Sequence, residues 1–377
     1  MLTIIVKATE YCNSNCVYCA VRDKDSKRER MSLDTLRIFL ERIREYLVAD
    51  RARRVNLTWH GGEPALMGAD FYAAVYALAQ EVLGEEAPRL THSMQSNLTL
   101  ITDAIACELV RLGVSSVGTS YDYTAGIRGF GPDRDSDAYA RDFFRGLEVL
   151  RRHGIGAGAI FVVTSHTVDR PVETMQFLSN LLGKAYRGHY RLNPLYREGE
   201  ASRDAQADLF VTPEQFGHFL GRAYEYWAPR RQLLQNVAPF QAIYLAVHGE
   251  SARLSCEETG VCGSTHLAVS ASGECFQCGR AMDNGALHYG SLHEKSLDEL
   301  FRTPLKRELI GRSPDLQSGE CRDCDVWDYC HGGCPVDSRI HFGDWRHRTN
   351  FCATRRIFLG EYVLPLHRRG PRSARAS

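Results

Sequence analysis

The sequence predicts an α/β protein: a partial (βα)6 barrel of the TIM type, followed by a small cysteine-rich domain with a β-hairpin. Three observations carry this. Short apolar runs alternate with amphipathic helical stretches up to about residue 200, the pattern of parallel βα units. Six such units fall short of the eight in a closed barrel, which predicts an open one. Beyond residue 200 the alternation stops, and nine of the 13 cysteines follow.

Each element follows in order. "LTIIVKA" (2–8) is an apolar run suited to a buried strand. Ser32 caps a helix running to about residue 48, with apolar residues at helical spacing. "RVNLTWH" (54–60) reads as a strand and 70–83 as a helix. "LTHSMQS" (90–96) is a strand, then 102–112 a helix ended by Gly113. "VSSVGTS" (114–120) is a strand and 136–153 a helix ended by Gly154. "GAGAIFVVT" (156–164), a helix over 170–183 and "GHYRLNPL" (188–195) complete six units. Thr212 and Pro213 open a further helix. "HLAVSASGECFQC" reads as a hairpin turning at Ser272–Gly273, and Ser296 with Glu299 forms a capping box. The implied division is a barrel over 1–200, a helical bridge over 201–255, a cysteine-rich domain over 256–360 held by metal in place of a large core, and a flexible basic tail over 361–377.

Charge is balanced at 46 basic and 46 acidic residues, so nothing global points to nucleic acid or to an acidic membrane surface. No signal peptide or membrane-spanning run is visible, which predicts a cytoplasmic protein. Thiols stay reduced there, so 13 cysteines argue for metal.

In parallel βα folds the loops after the strands carry chemistry. "CNSNCVYC" places Cys12, Cys16 and Cys19 after the first strand. Three thiolates at this spacing can hold three irons of a cubane and leave the fourth iron open. The alternative is a zinc site completed by a distant His or Cys. "HGGEP" follows the second strand, with Gly61 and Gly62 able to admit a close backbone approach to a ligand. The remaining cysteines show a second pattern: Cys256, Cys262 and Cys278, then Cys321, Cys324, Cys330 and Cys334, then Cys352. On chemistry alone, eight thiolates make two four-cysteine sites, zinc or iron–sulfur. Cys107 reads as a buried small apolar residue. Cys275 falls on the opposite strand face from Cys278, outside the ligand set, where a free exposed thiol can stand.

The triplet with an aromatic before its last cysteine, followed by GGEP, resembles the radical S-adenosylmethionine (SAM) superfamily. The second cysteine field resembles the SPASM domain of that superfamily, and the likeness runs from residue 3 to about 360. It implies three [4Fe–4S] clusters, with SAM as co-substrate on the open iron of the first. It assigns Cys256, Cys262, Cys278 and Cys334 to one auxiliary cluster and Cys321, Cys324, Cys330 and Cys352 to the other. For SAM it implies contacts from Gly61, Gly62, Glu63, Pro64, Ser96, Asn97, Ser120, Arg128 and the backbone near Leu195. His60 is as readily a packing residue as a functional one.

The implied reaction is reductive SAM cleavage, hydrogen abstraction by a 5′-deoxyadenosyl radical at a Cα or Cβ, and electron acceptance by an auxiliary cluster. The expected outcome is an oxidation or a carbon–carbon, thioether or ether cross-link in a ribosomally made peptide or protein. Anaerobic sulfatase maturation to formylglycine is the alternative, weakened because those maturases carry an Asp base where this chain has Gly279, followed by Arg280. Asp283, Arg280 and Asp122 are the candidates for catalytic roles. Radical oxidation or epimerisation of a small molecule is a further alternative, and an iron–sulfur electron carrier or a zinc-stapled binding module is the non-enzymatic one. Expected partners are a flavodoxin or ferredoxin as electron donor and, since the first strand starts near residue 3, a separate leader-binding protein.

Overall fold

The computed structural model describes residues 1–21, 23, 26–183, 189–232, 234, 236–250 and 254–368. The six predicted units form: β1 (Leu2–Thr9), α1 (Leu33–Val48), β2 (Val55–Gly61), α2 (Ala69–Leu83), β3 (Leu90–Gln95), α3 (Asp103–Arg111), β4 (Ser116–Ser120), α4 (Ser136–Arg152), β5 (Gly156–Val163), α5 (Pro171–Leu182) and β6 (His189–Pro194). Strands β1 to β6 pair in parallel in chain order. Residue 188, expected to start the sixth strand, lies outside the described residues. Side-chain caps fix the helix starts. Ser32 accepts from the Thr35 N–H, Thr102 from Ile105 and Asp135 from Ala138, and each such cap is worth about 1 kcal/mol.

Alternation along β1 sets up the barrel. Leu2, Ile4, Val6 and Ala8 are buried in the same core as Leu36, Phe39, Leu40 and Ile43 of α1. Thr3, Ile5 and Lys7 face the other way, into the barrel cavity. Each large side chain buried under the helices contributes about 1.5–3 kcal/mol.

The sheet extends past the six units at both ends. After α6 (Pro213–Trp227), β7 (Asn236–Ala238) adds in parallel to β6. At the other end β8 (His266–Val269) pairs in parallel with β1, and β9 (Glu274–Phe276) and β10 (His288–Ser291) follow antiparallel. The result is one ten-stranded sheet. The expected hairpin is β8–β9, and it is an extension of the barrel sheet. Leu267, Val269, Leu292 and Leu297 bury into the same core as β1, so this region has a hydrophobic anchor that the cysteine-dense sequence alone did not suggest.

Three expectations are corrected. The basic tail does not begin at residue 361: helical structure runs through Arg356–Val363 and Leu364–Arg368. It is held by buried Phe358, Leu359 and Val363, and by His367 Nε2 at 2.7 Å from the Tyr224 hydroxyl. Residues 369–377 lie outside the described residues. Cys107 is exposed, because the buried face of α3 is Ile105, Ala106 and Leu109 and position 107 turns away from it. Cys275 is fully buried, because it points into the core that holds Leu267, Leu292 and Leu297 while Glu274 and Phe276 face the other way.

Candidate active site and cluster sites

The loop carrying Cys12, Cys16 and Cys19 is gripped from three sides. The Gly62 N–H donates to the Thr9 carbonyl at 3.1 Å and the Glu63 N–H to the Tyr11 carbonyl at 2.9 Å. Asn15 and Val17 donate to Gly129 and Ile127 at 2.8 and 3.0 Å, and Glu200 donates to Cys19 at 2.8 Å. The two glycines are required by this grip. A Cβ at Gly61, whose φ is +121°, would stand 2.0 Å from the Thr9 oxygen, and one at Gly62 would stand 2.2 Å from the Tyr11 oxygen. Here the close approach expected of them is to the cysteine loop itself.

Glu63 is fully buried. It accepts from the Asn97 N–H at 2.7 Å, from the Ser96 hydroxyl at 2.7 Å and from the Ala65 N–H at 2.9 Å. Burial raises its pKa and these hydrogen bonds oppose the rise. The Asn97 amide then donates to Asn13 and Ser14, each at 2.9 Å. Ser96, Asn97 and Glu63 therefore brace the triplet. Pro64 begins a short 3-10 turn, and its carbonyl accepts from the Tyr72 hydroxyl at 2.9 Å.

Arg128 is 8% exposed. Its guanidinium bonds Asp122 at 3.2 Å, the Tyr139 hydroxyl at 2.9 Å and the Tyr18 hydroxyl. Tyr18 precedes Cys19, so this buried group anchors the far side of the loop, and Asp122 serves as the counter-charge. Ser120 ends β4, half-buried.

A cavity of about 490 Å³ fills the barrel. Thr3, Ile5 and Lys7 of β1, Thr58 and His60 of β2, Gln95 of β3 and Asn193 of β6 line it, and Leu195 and Tyr196 lie toward its rim. Cys256, Cys262, Cys278 and Cys334 line it too, together with Arg280 and Asp283. Lys7 and Asp283 form an ion pair inside it, with side chains 1% and 6% exposed. Burial raises the Asp283 pKa and Lys7 opposes the rise. His60 is held neutral by burial and by Lys7, with its pKa lowered to about 4. Arg280 bonds Glu198 and Asp337, each at 2.7 Å, and stacks on Tyr196 at 3.8 Å. It also forms part of the wall of an open groove of about 660 Å³ that shares Leu195, Tyr196 and Glu198 with the cavity. Lys7 was missed in the sequence. The available signal was a lysine within an apolar strand, in phase with Thr3 and Ile5.

Cysteine side chains gather in three places. Burial pushes the Cys12 thiol up to about 12, with Glu63, Cys16 and Cys19 adding to the rise. Burial likewise raises Cys256 to about 12, and Cys262 and Cys278 add to it. Cys334 is raised by burial, then by Asp337 and Cys278. In the other set burial raises Cys321, with Cys324 and Cys352 contributing. Cys330, at about 11 mainly through burial, also feels Cys352 and Cys324. Cys321, Cys324, Cys330 and Cys352 line one recess. No three His, Cys, Asp or Glu side chains among the described residues are placed to hold a single metal ion. Thiols crowded and buried this way stay neutral without a cation beside them. A three-thiol and two four-thiol donor sets fit iron–sulfur clusters, in which each iron takes its own thiolate.

The Radical SAM superfamily model matches residues 6–178. The serine-type anaerobic sulfatase-maturating enzyme of Klebsiella aerogenes is 27% identical over 360 residues, 92% of this chain and 84% of that enzyme. Residues 6–178 of this chain are a radical SAM domain. The chain is a radical SAM enzyme. Its fold matches native anSMEcpe with bound AdoMet at a TM-score of 0.80 and 20% identity, covering 97% of this chain and 98% of that one. It matches Streptococcus suis SuiB bound to precursor peptide SuiA at 0.60 and 15% identity, covering 93% and 75%. No helix among the described residues of this radical SAM enzyme is long and apolar enough to cross a membrane.

Proposed function

We propose that this radical SAM enzyme oxidises a side chain of a ribosomally made peptide or protein, ending in a carbon–carbon, thioether or ether cross-link. The observation that carries the reading is one cavity lined both by barrel strands and by Cys256, Cys262, Cys278 and Cys334. Cys12, Cys16 and Cys19 would hold the cluster that takes SAM, and the two quartets would hold auxiliary clusters. When bound, that first cluster with SAM supplies a 5′-deoxyadenosyl radical able to take a hydrogen atom from a substrate Cα or Cβ.

The chain's own residues do the rest. The groove beside Leu195 and Tyr196 admits an extended peptide to the cavity. Inside the cavity the reacting carbon is shielded from bulk water. Asp283, its carboxyl made more basic by burial, accepts the proton that an oxidised substrate releases, and Lys7 fixes its position. The first quartet would hold the acceptor for the accompanying electron. An external flavodoxin or ferredoxin, a separate leader-binding protein and a cytoplasmic setting belong to the same reading, as does the division into barrel, bridge and cysteine-rich domain.

A second reading, oxidation of a Ser or Cys to formylglycine in a sulfatase, is favoured by the full-length likeness to the Klebsiella enzyme. Gly279 removes a side-chain base just after Cys278. A Cβ there would lie 3.5 Å from the Lys7 Cε, and Asp283, one turn further along the same short helix, reaches Lys7 instead. A base is therefore present in either reading.

The test is anaerobic reconstitution with SAM and a reductant, then co-expression with the short open reading frames beside the gene. Formation of 5′-deoxyadenosine, about twelve irons per chain at about four per cubane, and a product lighter by two hydrogens support the proposal. Tandem mass spectra locate a cross-link, whereas an aldehyde-reactive hydrazide labels formylglycine. No 5′-deoxyadenosine, or no mass change in any peptide or sulfatase substrate, overturns it.

A further inference from the structure

One helix, Pro304–Ser318, carries two buried cations that the reaction above does not use. Lys306 is 0% and Arg312 6% exposed. Neither meets a carboxylate in an ion pair among the described residues. The Lys306 ammonium donates to the Gln277 side-chain oxygen at 2.6 Å and the His266 carbonyl at 2.8 Å, between the rings of Tyr289 and Phe301. The Arg312 guanidinium donates to four carbonyls, those of Trp345, Gly333, Gly332 and His347, and to the Ser338 hydroxyl.

Their positions relative to the cysteines differ. Gln277 adjoins Cys278 and donates to the Cys262 carbonyl at 2.8 Å, which puts Lys306 beside the first quartet. Gly332 and Gly333 lie between Cys330 of the second quartet and Cys334 of the first, which puts Arg312 between the two. Burial lowers the Lys306 pKa to about 7 and lowers that of Arg312, and nearby thiolates oppose the fall: Cys262, Cys278 and Cys275 for Lys306, and Cys334, Cys262, Cys321 and Cys330 for Arg312. The other arginines near the quartets are already neutralised. Arg280 pairs with Glu198 and Asp337, Arg191 with Glu257, and Arg355 with Glu257 and Glu258.

A cubane on four thiolates is an anion and gains another negative charge on reduction. An uncompensated cation in a low-dielectric interior favours the reduced form. We propose that Arg312 raises the reduction potentials of both auxiliary sites and that Lys306 raises that of the first alone. This rests on reading the quartets as cluster sites. Arg312 and Lys306 are positioning charges: neither faces the substrate cavity.

The experiment is an EPR-monitored redox titration of the anaerobically reconstituted full chain carrying Cys12→Ala, Cys16→Ala and Cys19→Ala, which leaves only the auxiliary sites. Adding Lys306→Met lowers one potential, and adding Arg312→Met lowers both. Lys306→Arg and Arg312→Lys, which keep the charge, stay near the parent. Unchanged potentials in the Met variants with iron retained overturn the inference, as does an equal shift in the charge-keeping variants, which would mark a hydrogen-bonding role. If Arg312→Met loses its iron, Lys306→Met and Arg312→Lys still decide. A parent that binds no iron overturns the cluster reading itself.

Discussion

The Glu63 carboxylate and the Asn97 backbone N–H meet at 2.7 Å inside the protein, tying the glycine turn after β2 to the end of β3. The Asn97 side chain passes that tie on to Asn13 and Ser14 beside Cys12. Glu63→Ala leaves the Asn97 N–H and the Ser96 hydroxyl buried without this acceptor, which costs about 1–3 kcal/mol. The expected result is a lower denaturation midpoint together with less 5′-deoxyadenosine.

Gly62→Ala tests the grip on the cysteine loop. Its Cβ would meet the Tyr11 and Glu10 oxygens at 2.2 and 2.3 Å. Backbone must move, at a cost of about 1–3 kcal/mol. Iron analysis is expected to show a loss of about four irons per chain, with the auxiliary sites retained.

Asp283→Asn separates radical formation from product formation. It removes the proton acceptor but leaves the triplet untouched. Modified peptide is expected to fall by about 10²-fold or more, while 5′-deoxyadenosine continues to form. Lys7→Met strands the Asp283 carboxylate and costs about 3–5 kcal/mol, read as a lower thermal midpoint.

His92 supplies a pH dependence. It accepts from the Trp59 indole N–H at 3.3 Å, with the two rings parallel. Burial lowers its pKa from 6.5 to about 4. The unfolded chain then binds the proton more readily between those values, so stability rises with pH across that window and is fully present above it. In urea titrations at several pH values, His92→Phe is expected to flatten the dependence between about pH 4 and 6.5. An unchanged slope would count against a neutral, buried His92.

The two extra cysteines are expected to behave differently from the eleven others and from each other. Cys107→Ser alters an exposed position and changes stability by less than about 0.5 kcal/mol. Cys275→Ser places a hydroxyl in a fully buried site and costs about 1–3 kcal/mol. Both variants are expected to retain the full iron content.

The strands and helices of the six units were legible because their apolar residues repeat with clear periods and because α1, α3 and α4 start with Ser, Thr or Asp caps. The cysteine grouping was legible from spacing and resemblance. The union of β8 with β1 was not, because parallel pairing between distant segments leaves no local trace. Lys7 and its pairing with Asp283 were hidden for the same reason: a buried ion pair is visible only once its two stretches of sequence meet. The roles of Gly61 and Gly62 were legible as a need for closeness, but not as closeness to the cysteine loop.

The pairing of Thr3 with His266 across β1 and β8 also bears on how the protein is made. Strand β1 acquires one neighbour promptly from β2, but its other edge waits until β8, more than 250 residues later, has been synthesised. Until then an apolar strand edge stands open to pairing with another chain. Non-local pairing of this kind slows folding. Truncations that stop before β8 are therefore expected to be recovered as aggregates, even though they contain all six barrel units.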